Sequence, residues 1–182
     1  MALTCTGCSV TVPTLSASCG QSTKPGGIVA LGFVACDYVF TSPVDLAEWT
    51  SAVAANDARV IKNLLGSMPD PSNTTKRLAS CSAEQLTGKT WTINLLDHNF
   101  IETGSPLVYE KEAFYNAIQD NPSQYYLFYG TCDGRMYRVD DFTLMMNVNI
   151  PDNSQELRFM NVQINFIGKT QGTQFVFDLR TV

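Results

Sequence analysis

The sequence is short of charge, and it is almost without histidine. Asp, Glu, Lys and Arg make up 16% of its 182 residues, against about 25% in an ordinary soluble domain. Lysine and arginine number 12 against 17 acidic residues, for a net charge of -5. That balance excludes a general binder of nucleic acid or anionic membrane, since both need clustered cations. One histidine, His98, leaves little material for acid-base or metal chemistry. No stretch approaches the roughly 18 to 20 uncharged apolar residues of a membrane span. The first residues lack the basic start and apolar run of a signal peptide, so the chain is expected to be made and kept in a cytosol, at least at first. Glycine-rich phosphate loops of the G-x-G-x-x-G and Walker kinds are missing, as is H-E-x-x-H. With no reactive constellation in view, we expect a protein that is not an enzyme and carries no cofactor.

What is present is hydrophobic, at 45%, and its clearest pattern spans residues 142–166. Phe142, Leu144, Met146, Val148 and Ile150 alternate with Thr143, Met145, Asn147 and Asn149. A strand places alternate side chains on opposite faces, so this is a half-buried strand. Pro151-Asp152-Asn153-Ser154 supplies a turn, and Met160, Val162, Ile164 and Phe166 alternate with Asn161, Gln163 and Asn165. The pair reads as a long antiparallel hairpin, around which the rest of the chain packs.

Other elements follow from similar signals. The nearly continuous apolar run at 28–40 reads as a strand covered on both faces. Ser42-Pro43 with Asp45 predicts a helix start, Leu46, Trp49 and Val53 its stripe, and Asn56 its end. Strands are predicted at 60–65, 90–96 and 173–180, and a second helix at 110–120 with Phe114, Ala117 and Ile118 on one face. Segments 125–131 and 135–139 flank Cys132-Asp133-Gly134 as a second hairpin, with Gly134 the position for positive φ. The expected class is mainly β (α+β): an antiparallel β-sandwich or open barrel with two flanking helices and a long hairpin. Residues 1–27, rich in Cys, Ser and Thr, read as an N-terminal arm, and 28–182 as a single domain.

Candidate sites are few. Cys5 and Cys8, spaced C-x-x-C, and Cys19 beyond them are weak metal candidates, because a structural zinc site usually shows two such pairs; a disulfide or free thiols remain the alternatives. Cys132 with His98 as a hydrolytic pair lacks any local support. Asp140-Asp141 point to opposite faces of a strand and make a poor carboxylate dyad. Tyr125, Tyr126, Phe128 and Tyr129 form either a stacking platform or core.

The segments LTCTGCSVTVP, GGIVALGFVACDYVFT, SPVDLAEWTSAV, TTKRLASCSAEQLTGKTWTINLLDHN, FYNAI and YYLFYGTCDGRMY together resemble small virion proteins of tailed phages that infect Bacteroidota. The resemblance covers most of the chain and rests on segment order, without a catalytic signature. Within that group the chain looks like the tail-tube type, whose sandwich, flanking helix and long hairpin repeat around a ring. The resemblance implies a virion location, synthesis in the host cytoplasm, partners that are copies of itself and other virion proteins, and DNA passing without specific binding. Asn147, Asn149, Asn161, Gln163 and Asn165 would then face the lumen. An auxiliary capsid or neck/ring protein is the nearest alternative. A glycan- or surface-binding β-sandwich, using Trp49, Trp91 or the 125–129 aromatics, is the alternative of another class.

Overall fold

A computed structural model describes residues 27–76, 85–97, 107–149 and 159–182. The chain runs through β1 (Ile28–Ala35), α1 (Leu46–Ala55), β2 (Ala58–Ser67), β3 (Ser72–Lys76), β4 (Gln85–Asp97), α2 (Leu107–Asp120), β5 (Tyr125–Thr131), β6 (Met136–Val139), β7 (Thr143–Asn149), β8 (Phe159–Gly168) and β9 (Thr173–Phe175). The nine strands form one antiparallel sheet in the order β7-β8-β4-β2-β1-β5-β6-β9, with β3 added beside β4. The fold is mainly β with two helices, and the single sheet stays open instead of closing into a barrel. Residues 1–26 of the arm predicted at 1–27 and the turn at 151–154 lie outside the described residues.

The sheet is curled. Strands β7 and β1 stand four steps apart in the sheet, a separation of about 19 Å if it were flat. Yet the Phe142 ring, at the mouth of β7, lies 6.1 Å from Phe33 of β1. The concave side holds the larger core: Leu31, Phe33, Ile61, Ile93, Leu95, Leu127, Leu144, Met160, Val162 and Ile164, with Tyr115 and Ile118 of α2. The convex side of the central strands holds a smaller one, in which Ala30, Val34, Phe128 and Met136 meet Trp49 and Ala52 of α1. Each helix thus seals one face, and β1, buried on both, is the apolar run its sequence predicts.

Several boundaries differ from the sequence reading. Strand β1 stops at Ala35, and Tyr38 and Phe40 turn back over α1, with the Phe40 ring 4.6 Å from Trp49. Helix α1 is capped by Asp45, whose carboxylate accepts the Ala47 N–H at 2.9 Å, while Glu48 accepts from the N–H groups of Thr41 and Ser42 at 2.6 and 2.8 Å. Carboxylate caps take these unpaired donors, so Ser42-Pro43 becomes the turn before the helix. Strand β3 was not foreseen; it is polar and held by its register on β4, from Ser72↔Thr90 to Lys76↔Gln85. At the C-terminus only three residues join the sheet. Phe177 stacks on Trp49 at 6.3 Å and Leu179 is buried beside it, so the small core takes the residues predicted for a longer strand.

Candidate assembly interface

The hairpin that organises the sequence is present as β7 and β8, in the register Thr143↔Asn165 through Asn149↔Phe159. Strand β8 also pairs with β4 over nine positions, from Lys89↔Gly168 to Asp97↔Met160. Strict alternation puts Leu144, Met160, Val162, Ile164, Ile93 and Leu95 into the core. The convex face is left to Thr143, Met145, Asn147, Asn149, Asn161, Gln163, Asn165, Thr92 and Asn94. Asn147 and Asn161 are directly opposed and both exposed, as is Asn149; Gln163 and Asn165 are half-buried. Thr92 Oγ1 donates to Asn165 Oδ1 at 2.8 Å, which fixes that amide. The 17 residues of β7 and β8 include no charged side chain. The outcome is an uncharged patch of amides and hydroxyls, with exposed Met145 among them, that carries no net field of its own.

Strand β7 ends the sheet. Its inner margin pairs with β8, and on its outer margin the Met146 N–H donates to Gln119 Oε1 of α2 at 3.0 Å. Since both polar groups of a strand residue point the same way, Leu144, Met146 and Val148 direct their N–H and C=O groups outward. Among the described residues, no strand takes them. Monomeric proteins blunt such edges with lysine, proline, inward charge, a bulge, or a covering helix or loop. None of the sequence devices occurs in Thr-Leu-Met-Met-Asn-Val-Asn of β7, and α2 packs beside the strand and covers the one N–H that Gln119 takes.

Helix α2 is fixed under this edge by a polar anchor. Asp97 has the same parity as Trp91, Ile93 and Leu95, so its carboxylate points inward at the end of β4 and is 1% exposed. Lys111 Nζ donates to both of its oxygens, at 3.3 and 3.2 Å, and Tyr115 OH donates to Oδ2 at 3.3 Å. Burial, then the adjacent Asp97 charge, holds the Tyr115 phenol well above its ordinary range. The arrangement can hold a helix in place; it presents no nucleophile. The strand predicted at 90–96 stopped one residue short of Asp97, although its parity with Ile93 and Leu95 was the available signal.

The remaining candidates are dispersed. Cys5, Cys8, Cys19, Cys81 and His98 lie outside the described residues. Cys36 and Cys132 are free thiols, and among the described residues no three His, Cys, Asp or Glu side chains gather closely enough to hold a metal. Asp133 is engaged by its own turn, accepting from Thr131 Oγ1 and pairing with Arg135 at 3.1 Å; Asp140 pairs with Arg138 at 2.6 Å. The 125–129 aromatics do not form an open platform. Phe128 and Tyr129 are buried, Tyr129 stacks on Tyr137 at 5.0 Å, and the Arg138 guanidinium covers the Tyr126 ring at 4.1 Å. Trp49 is also fully buried, and Trp91 is half-buried against Phe166 at 6.3 Å. No helix among the described residues is long and apolar enough to cross a membrane. Comparison with known protein families, curated proteins and solved structures returns no match for this chain.

Proposed function

We propose that this chain is a non-enzymatic structural subunit of a phage particle, made in the host cytoplasm and built into the virion. Its place is a tail tube, in which copies stack as rings around a lumen that conducts DNA. The observation that carries this reading is the outer margin of β7, on which, among the described residues, no strand pairs and Gln119 covers one N–H, lying next to the uncharged convex face of β7, β8 and β4. An edge left unpaired is a hazard in a monomer and an interface in a polymer. A head-to-tail contact closes into a ring when its rotation permits, and obligate interfaces of this kind commonly bury over about 2,000 Å2. The amide face made by Asn147, Asn149, Asn161, Gln163 and Asn165 suits the lumen. It is hydrated, it offers phosphates no cation to grip, and the chain's net charge of -5 repels them.

The test is assembly of the purified full chain, followed by negative-stain microscopy and sedimentation as concentration rises. Rings or tubes are expected. The Val148→Pro variant removes an outward N–H without taking a bond from the β7–β8 ladder, so it should stay folded and remain a monomer. Strictly monomeric wild-type protein at high concentration would overturn the reading.

A further inference from the structure

We infer that Gln119 is a reversible guard on the β7 edge, and that its side chain sets how readily a second copy of this chain pairs there. The inference rests on the assembly reading and concerns what limits that assembly. Of the three residues that aim backbone groups outward from β7, Met146 is central, and its N–H is already donated to Gln119 Oε1 at 3.0 Å. An incoming strand bonds to alternate residues along an edge, so it needs Leu144, Met146 and Val148 together. The middle donor of the three is the one taken.

Gln119 is placed to yield. It is exposed and sits one residue before the end of α2. Its side chain can swing into solvent while the helix stays put, because Tyr115 and Ile118 remain buried and Lys111 remains on Asp97. Giving up the contact therefore costs one solvent-exposed hydrogen bond and exposes no core. An exchange of this kind shifts the pairing constant by about twofold to tenfold. Such a device slows edge pairing while subunits are dilute and concedes it once they are concentrated. Among the described residues it is also the only side chain that covers a backbone group of this edge, whose own sequence contains no protective residue.

Two substitutions at position 119 move the guard in opposite directions. Gln119→Ala removes the acceptor, and Gln119→Glu replaces it with a charged one, which holds an N–H roughly twice as strongly and adds a like charge to every approaching copy. The measurement is the concentration at which half the full-length protein assembles, by sedimentation velocity, with circular dichroism to establish that each variant is folded. The expected order is Gln119→Ala below wild type by about twofold to tenfold, and Gln119→Glu above it. Adding Val148→Pro to Gln119→Ala should abolish the gain. If wild type assembles and both variants match it, the guard is refuted and the assembly reading stands. If Gln119→Ala/Val148→Pro assembles as well as Gln119→Ala, the contact runs through another surface and the guard is refuted. If neither wild type nor Gln119→Ala assembles, the assembly reading fails and the guard fails with it.

Discussion

Replacing Lys111 by methionine tests whether the buried pair at the end of β4 holds α2 in the concave face. The substitution keeps the apolar stem and removes the ammonium from Asp97, which is 1% exposed. Breaking a fully buried ion pair from one side costs about 3–5 kcal/mol, because the other charge is stranded. Two features lower that figure here: the Lys111 side chain is 28% exposed, and Tyr115 OH still donates to Asp97. The expected loss is about 2–3 kcal/mol, a fall in Tm of roughly 4–12 °C for a chain of this length. Urea denaturation of wild type, Lys111→Met, Asp97→Asn and the double variant completes a cycle. Asp97→Asn alone should be milder, since the released ammonium reaches water. The double variant should be more stable than the sum of the two losses by about 1–2 kcal/mol. A Lys111→Met protein within about 0.5 kcal/mol of wild type, or an additive cycle, would refute the anchoring argument.

Two further outcomes follow from packing and from burial of phenols. At Gly66 a methyl group would lie 2.9 Å from both Ile28 Cβ and the Ile28 carbonyl oxygen; Gly66→Ala should therefore destabilise by about 1–3 kcal/mol in thermal unfolding, as overpacking does, and an unchanged Tm would show that β1 and β2 part easily there. Tyr115 and Tyr129 are both held above the ordinary phenol value, chiefly by burial. Their contribution is complete below about pH 10, where the unfolded phenol begins to ionise, and is lost as pH rises toward the folded value. Urea midpoints between pH 9 and 11.5 should fall in wild type, and the decline should be shallower in Tyr115→Phe by about 1.4 kcal/mol per pH unit; equal slopes would mean that Tyr115 ionises within the fold.

The half-exposed ribbon was legible in the sequence because one face of β7 and β8 is apolar and the other is amide, so the period of two survives intact. The aromatics were harder. Tyr38, Phe40 and Phe177 read as strand residues from hydrophobicity alone, whereas they converge on Trp49 from outside the sheet. Only tertiary packing distinguishes those roles. Strand β3 had no apolar signal, and it exists because β4 is long enough to offer Thr90 to Gln85 as a template. Gln119 was invisible for a different reason. Nothing local marks one polar residue at a helix end as the partner of a backbone N–H 27 positions away. Asp97 fell outside the strand predicted at 90–96, although its alternation with Ile93 and Leu95 could have placed it inside.

Strand order has a consequence for how the protein emerges from the ribosome. Strand β4 finds its neighbour β8 more than sixty residues later in the sequence, and β1 waits longer still for β5, whose Tyr125 is the partner of Ala35. Such long-range closure is slow and leaves nascent chains partly unzipped. The margin that would meet a sister molecule is unfinished until β8 has been translated and has locked β7 to the rest. If copies pair along that margin, as proposed, contact between incomplete polypeptides on one polysome is disfavoured until β8 is in place.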